Sequence, residues 1–243
     1  MIDIGKPMIQ IDGIEKRFSK HDVLRGLNLP IERQEITAIL GHNGSGKTTL
    51  IKCILGLVRP TGGRIFLDGQ RLDAGWAYRE RIGYMPQIAR FPENLRMREL
   101  LTLLRNLRGN PVGVDDELFE LFGLERDVDK PMRALSGGTR QKINAVIAFL
   151  FRPDILILDE PTASLDPIAS SLLKDKIRRE RDAGKTVILT SHNIGEVEAL
   201  ADTIAFLLDG RVHTMGRQQA IKDRTGENDL ERAIAHLMQE KAA

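Results

Sequence analysis

The residues Gly41-His42-Asn43-Gly44-Ser45-Gly46-Lys47-Thr48 carry the densest chemistry in the chain. They fit Gly-x-x-x-x-Gly-Lys-Thr without a mismatch and follow directly on the apolar run Ile36–Leu40. A polyphosphate needs several N–H donors converging on it and one mobile cation. Glycines at 41, 44 and 46 let the backbone curl with its amides inward, and a helix starting near Gly46 adds the positive end of its dipole. Lys47 can then reach the outer phosphates and the Thr48 hydroxyl can hold Mg²⁺, with Thr49 counted in the same site. The plainer alternative is a glycine-rich turn with a solvated lysine. The strand before and the amphipathic pattern after (Leu50, Ile51, Ile54, Leu55) supply the context that nucleotide binding requires.

A second feature is Ile155-Leu156-Ile157-Leu158-Asp159-Glu160, an apolar strand ending in two carboxylates. In an α/β sheet the carboxyl ends of the strands line the ligand crevice. Asp159 would face Lys47 and Thr48 and hold the Mg²⁺ water shell, while Glu160 could polarise an attacking water. Alternatively the pair merely ends a strand before Pro161. A third feature is Leu135-Ser136-Gly137-Gly138-Thr139-Arg140-Gln141. Ser136 is a natural helix N-cap. With Gly137 and Gly138 it also offers a hydroxyl and bare amides at a helix start, a second anion site. One compact chain has no evident use for two such cradles on one nucleotide. A two-fold dimer has, because each copy can offer its second cradle to the other.

The elements that must position these groups are legible in outline. Met8–Ile14 and Val23–Ile31 alternate as half-buried strands do and Arg64–Leu67 is another short strand closed by the turn Asp68-Gly69, which together predict an antiparallel β layer around the phosphate-loop strand. Ile82–Met85 reads as a strand stopping at Pro86. Residues 94–124 are helical in texture, with Leu95, Leu100, Leu101, Leu104 and Leu107 at helical spacing and a break at Asn110-Pro111. A helix is predicted over 138–151. Ile155–Leu158 and Val187–Leu189 suit parallel strands buried on both faces. Between them a helix spans 167–183, and its charge-rich part, Lys174–Asp182, reads as a solvated face. A hairpin follows (203–208, 211–214), then a terminal helix at 228–240. The predicted layout is an α/β catalytic core (1–87 and 154–215), a helical insertion (88–153) and a short tail (216–243).

Bulk composition narrows the classes. The 36 basic and 34 acidic residues nearly cancel, to a net +2, which argues against nucleic acid as partner. The lone Cys53 forms no internal disulfide and reads as a small buried apolar residue. No apolar run approaches the length of a membrane span, and the N-terminus lacks a signal pattern.

On these motifs, from about Met8 to Met215, the sequence resembles the ATP-binding cassette (ABC) family. The resemblance implies a P-loop NTPase core with an antiparallel β subdomain and an inserted α-helical subdomain. It makes Gly41–Thr48 the Walker A loop, Leu135–Gln141 the signature motif and Ile155–Glu160 the Walker B strand. Gln87 becomes the Q-loop glutamine near Mg²⁺, Ser164-Leu165-Asp166 the D-loop at the dimer interface, and His192 the switch histidine beside Glu160. Phe18 becomes the aromatic that stacks on adenine, although filling the core is its competing role. Thr139 stands where Gln is commonest, Phe18 where Tyr is usual and His42 where Pro is frequent; none removes a group the chemistry needs. The resemblance further implies Mg²⁺-dependent ATP hydrolysis by a head-to-tail dimer. That dimer would serve an integral membrane permease subunit, peripheral to the cytoplasmic face of the inner membrane. The short tail looks like those of export-type (ABC-2) cassettes. Residues 135–142 with Ala148–Phe151 look most like the ATPase subunit of the nitrous-oxide-reductase maturation transporter. That system is associated with copper-site assembly and would reach an accessory periplasmic protein through the permease. A soluble cassette ATPase, or an exporter of another substrate, is the alternative. Trp76, Tyr78, Arg79 and Arg81 receive no function.

Overall fold

A computed structural model describes residues 5–72, 75–109, 111 and 113–239. The chain opens with a hairpin of β1 (Ile9–Phe18) and β2 (His21–Ile31), turned at Ser19 with φ 52°. The fully buried β3 (Ile36–Leu40) leads through the glycine loop into α1 (Lys47–Ile54). Then come β4 (Gly62–Leu67), β5 (Gln70–Arg71), a 3-10 turn at Ala77–Arg81 and β6 (Ile82–Met85). Helices α2 (Met97–Leu107), α3 (Glu117–Leu121) and α4 (Gly137–Phe149) precede β7 (Ile155–Asp159). The rest is α5 (Pro167–Asp182), β8 (Thr186–Ser191), α6 (Ile194–Leu200), β9 (Thr203–Leu208), β10 (Arg211–Arg217), α7 (Gln218–Thr225) and α8 (Leu230–Gln239).

Two sheets result. One has the order β10-β9-β3-β8-β7-β6, parallel throughout except for the β9–β10 hairpin. The other, β2-β1-β4-β5, is antiparallel. The predicted antiparallel layer therefore exists, but β3 is not its centre. All five β3 residues are buried, and its edges are taken by β8 and β9. Alternation along β3 splits the interior in two. Ala38 and Leu40 face the cluster built with α4, α5 and α8, whereas Ile39 faces α1 and the antiparallel sheet. With apolar layers on both faces, β3, β7 and β8 need apolar residues at nearly every position.

The helical stretch departs from expectation in detail. Helix α2 starts at Met97, not before Leu95, because Arg96 is held in a bridge with Pro131 and its amide donates to Glu99 Oε2 at 2.8 Å. Leu100 and Leu101 are buried, but Leu107 is 73% exposed. The predicted break at Asn110 and helix end at Glu240 lie outside the described residues. The charge-rich part of α5 is a solvated face only in part: Asp175, Arg179 and Asp182 are exposed, but Lys176 and Glu180 are buried. Lys176 (side chain 5% exposed) contacts Asp115, Glu117 and Glu180 at 2.6, 2.7 and 2.8 Å, tying α5 to the start of α3. Burial opposes its charge, yet the three carboxylates hold its pKa above the usual lysine range.

Candidate active site

The carboxyl ends of β3, β7 and β8 converge on one crevice edge, as strand polarity requires. Beyond β3 the loop turns through Gly44 (φ 85°) and Gly46 (φ 109°), conformations a side chain resists, and Gly46 caps α1. A Cβ on Gly41 would fall 2.3 Å from the Leu207 carbonyl oxygen and 2.5 Å from Ser45 Oγ, so only glycine fits there. Lys47 is buried, and its Nζ donates to the carbonyls of Gly41 (2.6 Å) and His42 (3.2 Å). Burial lowers the Lys47 pKa, opposed by the negative charges of Glu160 and Asp159.

From this loop a chain of contacts crosses the sheet. Thr48 Oγ1 donates to Asp159 Oδ2 at 3.3 Å. Thr190 Oγ1 donates to Asp159 Oδ1 at 2.5 Å and accepts from the Glu160 amide at 3.2 Å. Glu160 Oε2 lies 2.7 Å from His192 Nδ1. The two carboxylates are buried, whereas the His192 side chain is largely exposed, so the histidine covers the mouth of the pair. Glu160 adopts φ 53°, which turns it off the line of β7. Sequence patterning missed Thr190, whose only cue was its place at the end of an apolar strand. It also missed Asn144, whose Nδ2 donates to the Pro86 carbonyl at 2.7 Å, one residue before the exposed Gln87.

The remaining sequence-predicted residues lie elsewhere. Ser136 caps α4, its Oγ accepting from the Thr139 amide at 3.1 Å, with Gly137 and Gly138 opening the helix. Asp166 caps α5 through the Ala169 amide at 2.8 Å and pairs with Lys142 at 2.8 Å. The Lys142 ammonium and that amide hold the Asp166 carboxyl below the usual carboxylate range. A Cβ on Gly138 would sit 3.2 Å from the Ser164 carbonyl oxygen, so the two caps are neighbours. Among the described residues no hydrogen bond or ion pair joins 136–138 to 41–49. Phe18 is 46% exposed and so is not core filler; Lys16 Nζ lies 4.7 Å from its ring centroid.

The groups fit magnesium and a polyphosphate on this geometry. A hydroxyl and a carboxylate, both hard oxygen donors, meet beside a glycine cradle that a Cβ would fill. Ser45 Oγ, buried in that cradle, has no protein partner among the described residues.

The family model described as "ABC transporter" matches residues 24–163. Nod factor export ATP-binding protein I of Ralstonia nicotianae is 33% identical over 217 residues, covering 87% of this chain and 67% of that protein. Daunorubicin resistance ATP-binding protein DrrA3 of Streptomyces coeruleorubidus is 35% identical over 242 residues, covering 97% of this chain and 76% of that one. Human phospholipid-transporting ATPase ABCA3 is 37% identical over 207 residues, but the chain spans only 12% of its length. The solved ATP-binding subunit of an ABC transporter superposes with TM-score 0.87 at 29% identity, covering 95% of this chain and 99% of that one. An ATP-binding cassette solved as a dimer in a post-hydrolysis state with ADP and Pi gives 0.76 at 26%, covering 86% of this chain and 98% of that one. The chain belongs to the ABC transporter family, as an ATP-hydrolysing domain that takes ATP with Mg²⁺.

Proposed function

We propose that this chain is the motor of an export-type transporter, working as a head-to-tail pair on a separate membrane subunit. The single observation that carries the reading is the chain of contacts Thr48–Asp159–Thr190–Glu160–His192. Mg²⁺, when bound, supplies Lewis-acid neutralisation of the phosphate oxygens, with Thr48 and Asp159 to hold it and Gln87 within the same proposed set. Lys47 and the amides from Gly41 to Thr49 bind and orient the triphosphate of ATP. Glu160, buried and held by the Thr190 oxygens, takes a proton from the attacking water, and the His192 ring fixes its carboxylate. Phe18 supplies an exposed ring face for adenine.

Ser136, Gly137, Gly138 and Asp166 have their own places as helix caps, unbonded to the phosphate loop of the same chain. That separation supports their serving the nucleotide of a second copy, as does the dimeric state of the similar cassette. We assign the catalytic core to 1–87 and 154–215, the helical subdomain to 88–153 and the tail to 216–243. Between core and helices lies an apolar cleft of about 280 Å³ walled by Ile82, Tyr84, Leu104, Leu107, Ile147 and Phe151. It suits an amphipathic helix of the membrane subunit, a docking that supports our reading of a peripheral position at the cytoplasmic face of the inner membrane. Among the described residues no helix is long and apolar enough to cross a membrane.

The run 135–142 with Ala148–Phe151 supports the finer reading of a nitrous-oxide-reductase maturation transporter, with copper-site assembly and a periplasmic accessory protein beyond the permease. The names of the relatives, Nod factor export and daunorubicin resistance, support export of another substrate equally well. Glu160→Gln tests the motor. It keeps nucleotide binding, loses turnover by about 10²–10⁴-fold and elutes as an ATP-trapped dimer in size-exclusion chromatography. Wild-type turnover by that variant removes Glu160 from the role. Co-purification from membranes in mild detergent identifies the membrane subunit and with it the cargo class.

A further inference from the structure

A cavity of about 620 Å³ opens between β4, the chain after α1 and the 3-10 turn before β6. None of the nucleotide-site residues lines it. Four guanidinium side chains do, those of Arg59, Arg64, Arg71 and Arg79, and its described lining residues include no carboxylate. Arg79 stacks on Trp76 with 4.0 Å to the ring centroid and donates to the Gly56 carbonyl at 2.9 Å. Its buried Nε has no hydrogen-bond partner among the described residues. The walls close tightly at that point: a Cβ on Gly56 would meet Tyr78 Oη at 2.6 Å and Arg79 Nη2 at 2.8 Å. The Arg59 and Arg64 side chains are exposed and have neither ion-pair nor hydrogen-bond partners among the described residues.

Arg59 and Arg64 bring unpaired like charge to one concavity, and an oxyanion with several acceptor oxygens complements it. Guanidinium forks match phosphate in geometry and in charge. The rim distinguishes the source of the phosphate. Trp76 is 66% exposed, and Leu57, between the lining residues Gly56 and Val58, is 58% exposed. A soluble phosphate gains nothing from an exposed indole and leucine beside the arginines. A lipid headgroup does, because its glycerol and first acyl carbons lie where the indole and leucine can enter the interface.

We propose that the cavity of Arg59, Arg64, Arg71 and Arg79, rimmed by Trp76 and Leu57, binds the phosphate of an anionic lipid headgroup and seats this face on the bilayer. The inference rests on the cavity and its rim alone. Its primary readout, vesicle binding, needs neither ATP nor a membrane subunit, so it fails separately from the transporter reading. Trp76 is the sole tryptophan of the chain, and its emission reports on the rim directly. The purified full chain is titrated with vesicles of phosphatidylcholine, with and without phosphatidylglycerol. A blue shift with the anionic vesicles alone, weakened by salt, is expected. Arg59→Gln with Arg64→Gln, at two exposed sites, should weaken partitioning by about five-fold per arginine, about thirty-fold together, with ATP binding unchanged. Equal binding to neutral vesicles, or full binding by the double variant, overturns the proposal. An equal response to glycerol 3-phosphate reassigns the cavity to a soluble phosphoester and overturns the lipid. So does loss of co-purification with the membrane subunit in the double variant when vesicles bind neither protein, which would assign the cavity to a protein partner.

Discussion

Replacing Thr190 by valine removes one oxygen and little else, since valine keeps the shape and suits a buried strand. The lost hydroxyl donates to Asp159 Oδ1 at 2.5 Å and accepts from the Glu160 amide at 3.2 Å. The amide keeps the Thr190 carbonyl at 3.1 Å, so the main loss is one hydrogen bond to a carboxylate. Such bonds contribute about 1.5–3 kcal/mol, and the buried Asp159 has no access to bulk water as a substitute. Urea denaturation should therefore report a loss of about 2 kcal/mol. Function should fail in a more specific way. Asp159 loses the contact that aims its other oxygen at Thr48, and loss of such outer contacts costs about 10–100-fold in metal affinity. ATPase rates across a Mg²⁺ titration should show the midpoint raised by that factor. Nucleotide affinity without Mg²⁺ should hold, because Lys47 and the loop amides are untouched. Thr190→Ser should restore the midpoint. A valine variant that loses stability but keeps the wild-type Mg²⁺ midpoint would refute the reasoning and leave Thr190 a structural residue.

Lys176→Met leaves the nearly buried Asp115 without its cation, while Glu180 keeps Lys185, and this costs about 3–5 kcal/mol by denaturant unfolding. Because the folded pKa of Lys176 is raised, its stabilisation is fully present below the unfolded value of about 10.4 and is lost only as pH rises through the higher folded value; the methionine variant should lack that alkaline fall. Lys47 has the opposite sign. Burial depresses its pKa, so the ammonium carries a cost below the folded value that fades as pH rises through it. Lys47→Met should weaken binding of a fluorescent ATP analogue severely yet leave the thermal midpoint without nucleotide unchanged or higher; unchanged affinity would count against the phosphate loop.

What the sequence disclosed and what it hid divide along chain separation. The glycine loop, the β7 carboxylates and the Ser136 cap are local patterns, and the elements around them formed within a few residues of their predicted bounds. Thr190 was hidden because its role arises from the pairing Asp159↔Thr190 across β7 and β8, 31 residues apart in sequence. Lys176 looked solvated for the same reason. It lies next to Ile177 at the edge of the buried stripe, but its partners Asp115 and Glu117 come from about 60 residues away. Alternating polarity likewise identified β1 and β2, and a short apolar run before a turn identified β4, without saying which sheet β3 would join. That choice is made by burial on both faces, a property of the neighbours rather than of β3 itself.

The unfavourable features of this fold collect at the same crevice. Lys47 is a buried cation with a depressed pKa, and Ser45 Oγ is buried without a protein partner. Asp159 and Glu160 are adjacent buried carboxylates, and Glu160 holds a left-handed backbone that costs about 1–2 kcal/mol. Such strain persists only where the surroundings over-determine it. Here the determinant is β8: the carbonyl and hydroxyl of Thr190 both take the Glu160 amide, while the same hydroxyl fixes Asp159. β8 in turn is held by a run of buried residues paired on both edges, with β3 and with β7. The apolar strands thus offset the cost of aligned charges, so the carboxylates need little reorganisation when charge develops in the transition state. On this argument the most stabilising single changes lie in the crevice itself, and each of them removes a group the hydrolysis uses.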